Sequence, residues 1–149
     1  MEIKMIPIPS SIADVTPELC RRVFEEICGL KTTVDRKMYY DFHGKGKHGW
    51  TDTEYYILPD GQYNMSVSEG NPFTRLQDTK LLDDWLENNE LSMTINKKPD
   101  AVNGEYIFEV LIYSDVDYRE INVQVYADTE EMARACAIID AYNRRNHEK

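Results

Sequence analysis

The chain has 149 residues, 30% of them charged, with 27 acids against 17 bases and a net charge of −10. That length is one domain's worth and is enough to bury a core. A surface so acidic repels nucleic acid and anionic membrane and attracts basic partners, which argues against direct nucleic-acid or membrane binding.

The N-terminal Met-Glu-Ile-Lys-Met-Ile-Pro-Ile-Pro has too short an apolar run for a signal peptide, and its prolines interrupt it. No stretch of about 18 apolar residues is present to span a membrane. The three cysteines, Cys20, Cys28 and Cys136, show no paired spacing. Free, partly buried thiols in a reducing cytoplasm fit that pattern.

The first predicted element is a helix. Thr16 suits the N-cap and Pro17 the first helical position, while Leu19, Val23, Phe24 and Ile27 make an apolar stripe and Gly29 ends it. Strands follow. Met38, Tyr40 and Phe42 alternate with Tyr39, Asp41 and His43. Tyr55 to Leu58 is apolar, Pro59-Asp60-Gly61 is a tight turn, and Tyr63, Met65 and Val67 alternate with polar residues.

A second helix is predicted over Thr79 to Asn88, capped by Asp78 or Thr79, with Leu81, Leu82, Trp85 and Leu86 inward. A short strand near Leu91 to Ile95 precedes a turn-rich connection from Lys97 to Gly104. Tyr106 to Tyr113 and Ile121 to Tyr126 then form a hairpin, and the first of these is apolar on nearly both faces, as a central strand is. The last helix begins at Asp128-Thr129-Glu130-Glu131, with Asp128 as cap, Glu131 reaching back to it, and Met132, Ala135, Cys136 and Ile139 inward. The Asp-Thr pairs at 78–79 and 128–129 hint at a duplicated strand–strand–helix unit. The whole reads as a single α+β domain over residues 1–149, a mainly antiparallel sheet of five to six strands with three helices in the order α-βββ-α-βββ-α.

Charge is uneven along the chain. Lys31 to Trp50 carries net +3, so the remainder carries −13. Within that basic stretch His43, Lys45, Lys47, His48 and Trp50 stand around three glycines, a pattern that could hold an anion or, with Tyr39 and Tyr55, serve a small-molecule- or nucleotide-binding protein or an enzyme. It lacks the order of a phosphate-binding P-loop, and its two histidines lack the spacing of a metal site. A solvated hairpin tip is the plainer alternative. No sequence pattern marks an activated thiol or serine, and no metal or cofactor is expected.

The acids punctuate folded elements and form no tail. Carboxylates fixed on a rigid fold can present charge as phosphates do. The expected function is therefore that of a non-enzymatic acidic binding protein occupying a basic partner, such as a nuclease or nucleic-acid-binding protein. The expected contact residues are Asp52, Glu54, Tyr56, Asp60 and Glu69 in one hairpin region and Asp115, Asp117 and Glu120 at the late hairpin. In size, acidity and lack of catalytic motifs the chain resembles small phage-type inhibitors, such as anti-CRISPR or anti-restriction proteins, and bacterial immunity proteins. That resemblance is one of composition and assigns no residue a role. A self-assembling homo-oligomer, its basic loop against a neighbour's acidic face, is a further alternative.

Overall fold

Thr16 opens the first helix as its sequence predicts. In the computed structural model the described residues are 5–41, 47–61, 65–100, 104–116 and 121–147, with the side chains at 39–41, 47, 48 and 147 excepted. The elements in chain order are a 3-10 turn Ile12–Asp14, α1 Pro17–Arg22, a π-helical turn Val23–Ile27, β1 Lys31–Asp41, β2 Lys47–Ile57 and β3 Met65–Ser66. Then come α2 Leu76–Thr79, a 3-10 turn Lys80–Leu82, α3 Asp83–Asn88, β4 Leu91–Pro99, β5 Tyr106–Ser114, β6 Asn122–Ala127 and α4 Glu130–His147. The α+β class and the element order hold, and the six strands divide between two three-stranded antiparallel sheets. Among the described residues no helix is long and apolar enough to cross a membrane.

At α1 the Thr16 hydroxyl oxygen accepts from the Leu19 N–H at 3.1 Å, satisfying one of the helix's open donors. The helix widens after Arg22, where the Cys28 N–H reaches back five residues to the Val23 carbonyl. Leu19, Val23, Phe24 and Ile27 are buried, and Gly29 at φ 67° ends the run in a conformation that disfavours a side chain.

Contacts divide the chain into two units, Met1–Gly29 with Asn71–Lys149, and Leu30–Gly70. The larger unit holds the sheet β4-β5-β6, with β5 central as its two apolar faces imply. Its register runs from Leu91↔Ser114 to Pro99↔Tyr106 and from Phe108↔Ala127 to Tyr113↔Asn122. Val110, Ile112 and Val123 form the inner face against α4. Residues 132–139 of α4 are all buried. The predicted stripe is thus too narrow: helix α4 lies against strands on one side and against α2 and the π turn on others. The chain before α1 is strapped to α4. The Ile6 N–H donates to Asn143 Oδ1 at 3.0 Å, and Asn143 Nδ2 donates to the Ile6 carbonyl at 2.9 Å.

Two predicted caps are corrected. The helical run begins at Leu76, so Asp78 and Thr79 lie inside it and are buried. They fasten the preceding loop instead. Asp78 Oδ2 accepts from the Asn71 N–H at 2.9 Å, and the Thr79 hydroxyl donates to the Pro72 carbonyl at 2.6 Å. At α4 the cap is Thr129, whose Oγ1 accepts from the Met132 N–H at 3.2 Å. Strand β6 runs to Ala127, so Asp128 is still part of the connection. The two Asp-Thr pairs occupy different positions, which removes the basis for the duplicated unit.

The smaller unit is a hairpin of two eleven-residue strands, paired from Lys31↔Ile57 to Asp41↔Lys47, with β3 added through Tyr55↔Ser66 and Tyr56↔Met65. Strand β1 begins seven residues earlier than its alternation shows, because charges at Lys31, Asp35, Arg36 and Lys37 mask the period. Part of the predicted strand at Tyr63 lies outside the described residues. The Gly61 N–H bonds the Leu58 carbonyl at 2.8 Å with Gly61 at φ 83°, the predicted turn.

Candidate functional site

Strand pairing decides which hairpin acids share a face. Opposite residues in an antiparallel pair point the same way, so Val34, Arg36 and Met38 of β1 share a face with Glu54, Asp52 and Trp50 of β2. Asp52 Oδ1 lies 3.6 Å from Arg36 Nε, and the Arg36 guanidinium sits 5.3 Å over the Trp50 ring. Asp52 therefore meets a cation of its own chain. Tyr56, expected at the contact surface, is fully buried. Its ring fills space at the root of the hairpin, a correction that follows from its pairing with buried Met65. Asp60 and Glu69 are exposed in the turns after β2 and β3.

The anion-loop residues are only partly placed. His43 and Lys45 lie outside the described residues, as do Asp117 and Glu120. Lys47 and His48 are placed by backbone alone, opposite Asp41 and Tyr40, and Tyr39 opposite Gly49. Trp50 is 60% exposed. Tyr55 lies with its ring 5.9 Å from Lys37 Nζ.

Charge separates by unit. Residues 30–70 hold six acids and five bases, net −1, which leaves −9 on the larger unit. There an exposed acidic ridge emerges. Asp84 and Glu87 stand three apart on α3, one face of a helix, and Glu90 follows where the chain turns at φ 56° into β4. The Asp115 N–H donates to the Glu90 carbonyl at 2.9 Å, which brings Asp115 beside them. All four residues are exposed. Asp115 also accepts a hydrogen bond from the Ser92 hydroxyl, which fixes its carboxylate. The α3 spacing is visible in the sequence. The junction with Asp115 is not, because it depends on Leu91 pairing with Ser114 across the sheet.

Asp83, the residue before Asp84, binds buried Arg134 through both carboxylate oxygens at 2.7 and 2.8 Å. It cancels a buried cation and leaves the ridge to its neighbours.

The outer face of the larger sheet carries a second polar constellation. Glu109 is buried yet accepts four side-chain hydrogen bonds. They come from Tyr126 Oη at 2.6 Å, Lys98 Nζ at 3.0 Å, Gln124 Nε2 at 2.7 Å and Asn96 Nδ2 at 3.1 Å. The Tyr126 hydroxyl first, then Lys98, Gln124 and Asn96, hold the carboxyl down to about 2. Such a group is fixed as an anion and is poorly suited to donate a proton near neutrality. A cavity of about 260 Å³ opens nearby, between Ser10, Ser11, Tyr126 and Asp128, but its Tyr126 hydroxyl is already committed to Glu109.

The thiols are suppressed as nucleophiles. Burial pushes Cys20 up to about 11 and Cys28 and Cys136 up to about 12. Negative charge at Asp78 adds to the effect on Cys20, and at Asp84 to that on Cys28. Among the described residues, no group of three or more His, Cys, Asp or Glu is gathered to hold a metal ion.

Comparison of the chain with protein-family models, curated proteins and solved structures returned no match.

Proposed function

We propose that this chain is a non-enzymatic binding protein that occupies the basic surface of another protein, and that the ridge Asp84, Glu87, Glu90 and Asp115 is the centre of its contact. The observation that carries the reading is the concentration of −9 in one unit, with four exposed acids brought together where the backbone bond from Asp115 to Glu90 joins the end of β5 to the end of α3. Like charges three apart on a helix repel, so α3 bears a small cost to hold them there. A row of rigid carboxylates resembles the charge of a nucleic-acid backbone, and a nuclease or nucleic-acid-binding protein is the partner class it fits. The hairpin acids Asp52, Glu54, Asp60 and Glu69 are secondary in this reading, because their unit is close to neutral.

Capture from a cell lysate at low salt tests the proposal. Proteins with basic surfaces are retained by the natural chain and lost from the quadruple variant Asp84→Lys, Glu87→Lys, Glu90→Lys, Asp115→Lys. With a captured partner purified, the association rate falls by roughly ten- to a thousandfold as salt rises, the range over which electrostatic steering acts. Retention of acidic partners, binding indifferent to salt, or equal capture by the folded quadruple variant overturns it.

A further inference from the structure

Strand β1 is the longest unshared edge in the smaller unit. It pairs with β2 on one side and has no strand on the other among the described residues. It runs eleven residues, Lys31 to Asp41, and Val34 and Met38 stand 62% and 63% exposed on one face. An open edge of this length offers unpaired backbone donors and acceptors to any strand that can match it.

We propose that the occupant is β1 of a second copy, paired antiparallel about a two-fold axis through Arg36, so that two three-stranded sheets join into one of six strands. The argument is the order of charges along the strand. Two identical antiparallel strands related by a two-fold axis must place one residue opposite itself, because opposite residues share a face and neighbours do not. Only a few registers are therefore available. With Arg36 on the axis, Asp35 lies opposite Lys37 and Lys31 opposite Asp41, each twice by symmetry, while the exposed apolar side chains of Val34 and Met38 lie opposite each other on the face that carries Arg36. Axes at Thr33 or Tyr39 pair only five of the eleven residues, and the four longer registers around Arg36 fail on charge. An axis at Asp35 sets two aspartates opposite each other, and an axis at Lys37 sets two lysines. An axis at Val34 sets Lys31 against Lys37, and an axis at Met38 sets Asp35 against Asp41. Like charges directly opposite are destabilising in a sheet, whereas opposite charges and apolar pairs stabilise it.

The cost of the favoured register is one pair of arginines at the axis. Each arginine brings its own counter-charge, Asp52 at 3.6 Å, and its own aromatic support, Trp50 at 5.3 Å. The pairing is independent of the acidic ridge, which belongs to the other unit.

Two experiments on the full chain test it. Sedimentation over a dilution series is expected to show a dimer. Asp35→Lys and Lys37→Asp each put like charges opposite one another and weaken the dimer on the order of tenfold or more. The double exchange Asp35→Lys with Lys37→Asp restores opposite pairs and returns the dimer. The second experiment reads the register directly. Residues opposite each other lie about 4.5–5.5 Å apart at Cα, within disulfide reach. Arg36→Cys is therefore expected to form an inter-chain disulfide under mild oxidation, and Val34→Cys is not, since Val34 faces Met38. The native cysteines are buried or half-buried and their thiols are held protonated. A monomer at every concentration, a double exchange that fails to restore the dimer while remaining folded by circular dichroism, or cross-linking at 34 in preference to 36 overturns the proposal.

Discussion

Glu109 shows how a single residue acquires its character from the strands that flank it in the sheet. In sequence it is one polar position in the alternation of β5. In the sheet it collects donors from β4 and β6, and its carboxyl is held at about 2 against an ordinary 4.5. A carboxyl lowered on folding stabilises the fold above about pH 4.5, and that contribution disappears as pH falls toward 2. Glu109→Gln is expected to lower stability at neutral pH and to flatten the fall in stability between pH 5 and 2, as read by urea unfolding at each pH. An unchanged acid limb in the variant would show that other carboxyls govern it. The cysteines are the opposite case. Their number and spacing reveal no pairing, and only their surroundings reveal that burial suppresses them. With Cys28 and Cys136 raised from 9 to about 12, alkylation of the native protein at pH 8 is expected to be on the order of a thousandfold slower than after unfolding. Rapid labelling of the native chain would contradict that burial.

At the scale of elements, local chemistry is legible where a residue acts on its immediate neighbours. Thr16 caps α1, Gly29 ends the helical run after the π turn and Gly61 turns the chain, each for a reason contained within a few residues. The reading fails where the same residue type finds a partner further away. Asp78 and Thr79 look like a cap and are instead a clasp for the loop at Asn71 and Pro72. Thr129 takes the cap at α4, and Thr129→Ala is expected to cost about 1 kcal/mol in thermal or urea unfolding. Asp128→Ala is expected to cost much less, which separates the two assignments. The clasp between Asn143 and Ile6 spans 137 positions of sequence, beyond any local pattern. Asn143→Ala leaves a buried N–H and carbonyl unsatisfied, a loss of roughly 1–3 kcal/mol. It is also expected to expose the chain before α1 to limited proteolysis at a lower protease concentration than the natural protein requires.

At the scale of the whole molecule, composition determined a large negative charge, while apolar periodicity with cap and turn residues determined the α+β class and the order of helices and strands. Periodicity determined which strand is central, because β5 alone is apolar on both faces. Neither determined that the strands form two sheets, nor which exposed acids of the strongly negative unit come together. Those outcomes depend on pairings between distant segments, such as Leu91 with Ser114, which set Glu90 beside Asp115. Helix caps, turns and alternation act over a few residues and are written in their neighbours. The neighbours of a surface charge are chosen by the fold, so the ridge and the clasped carboxylate of Glu109 became visible only in three dimensions.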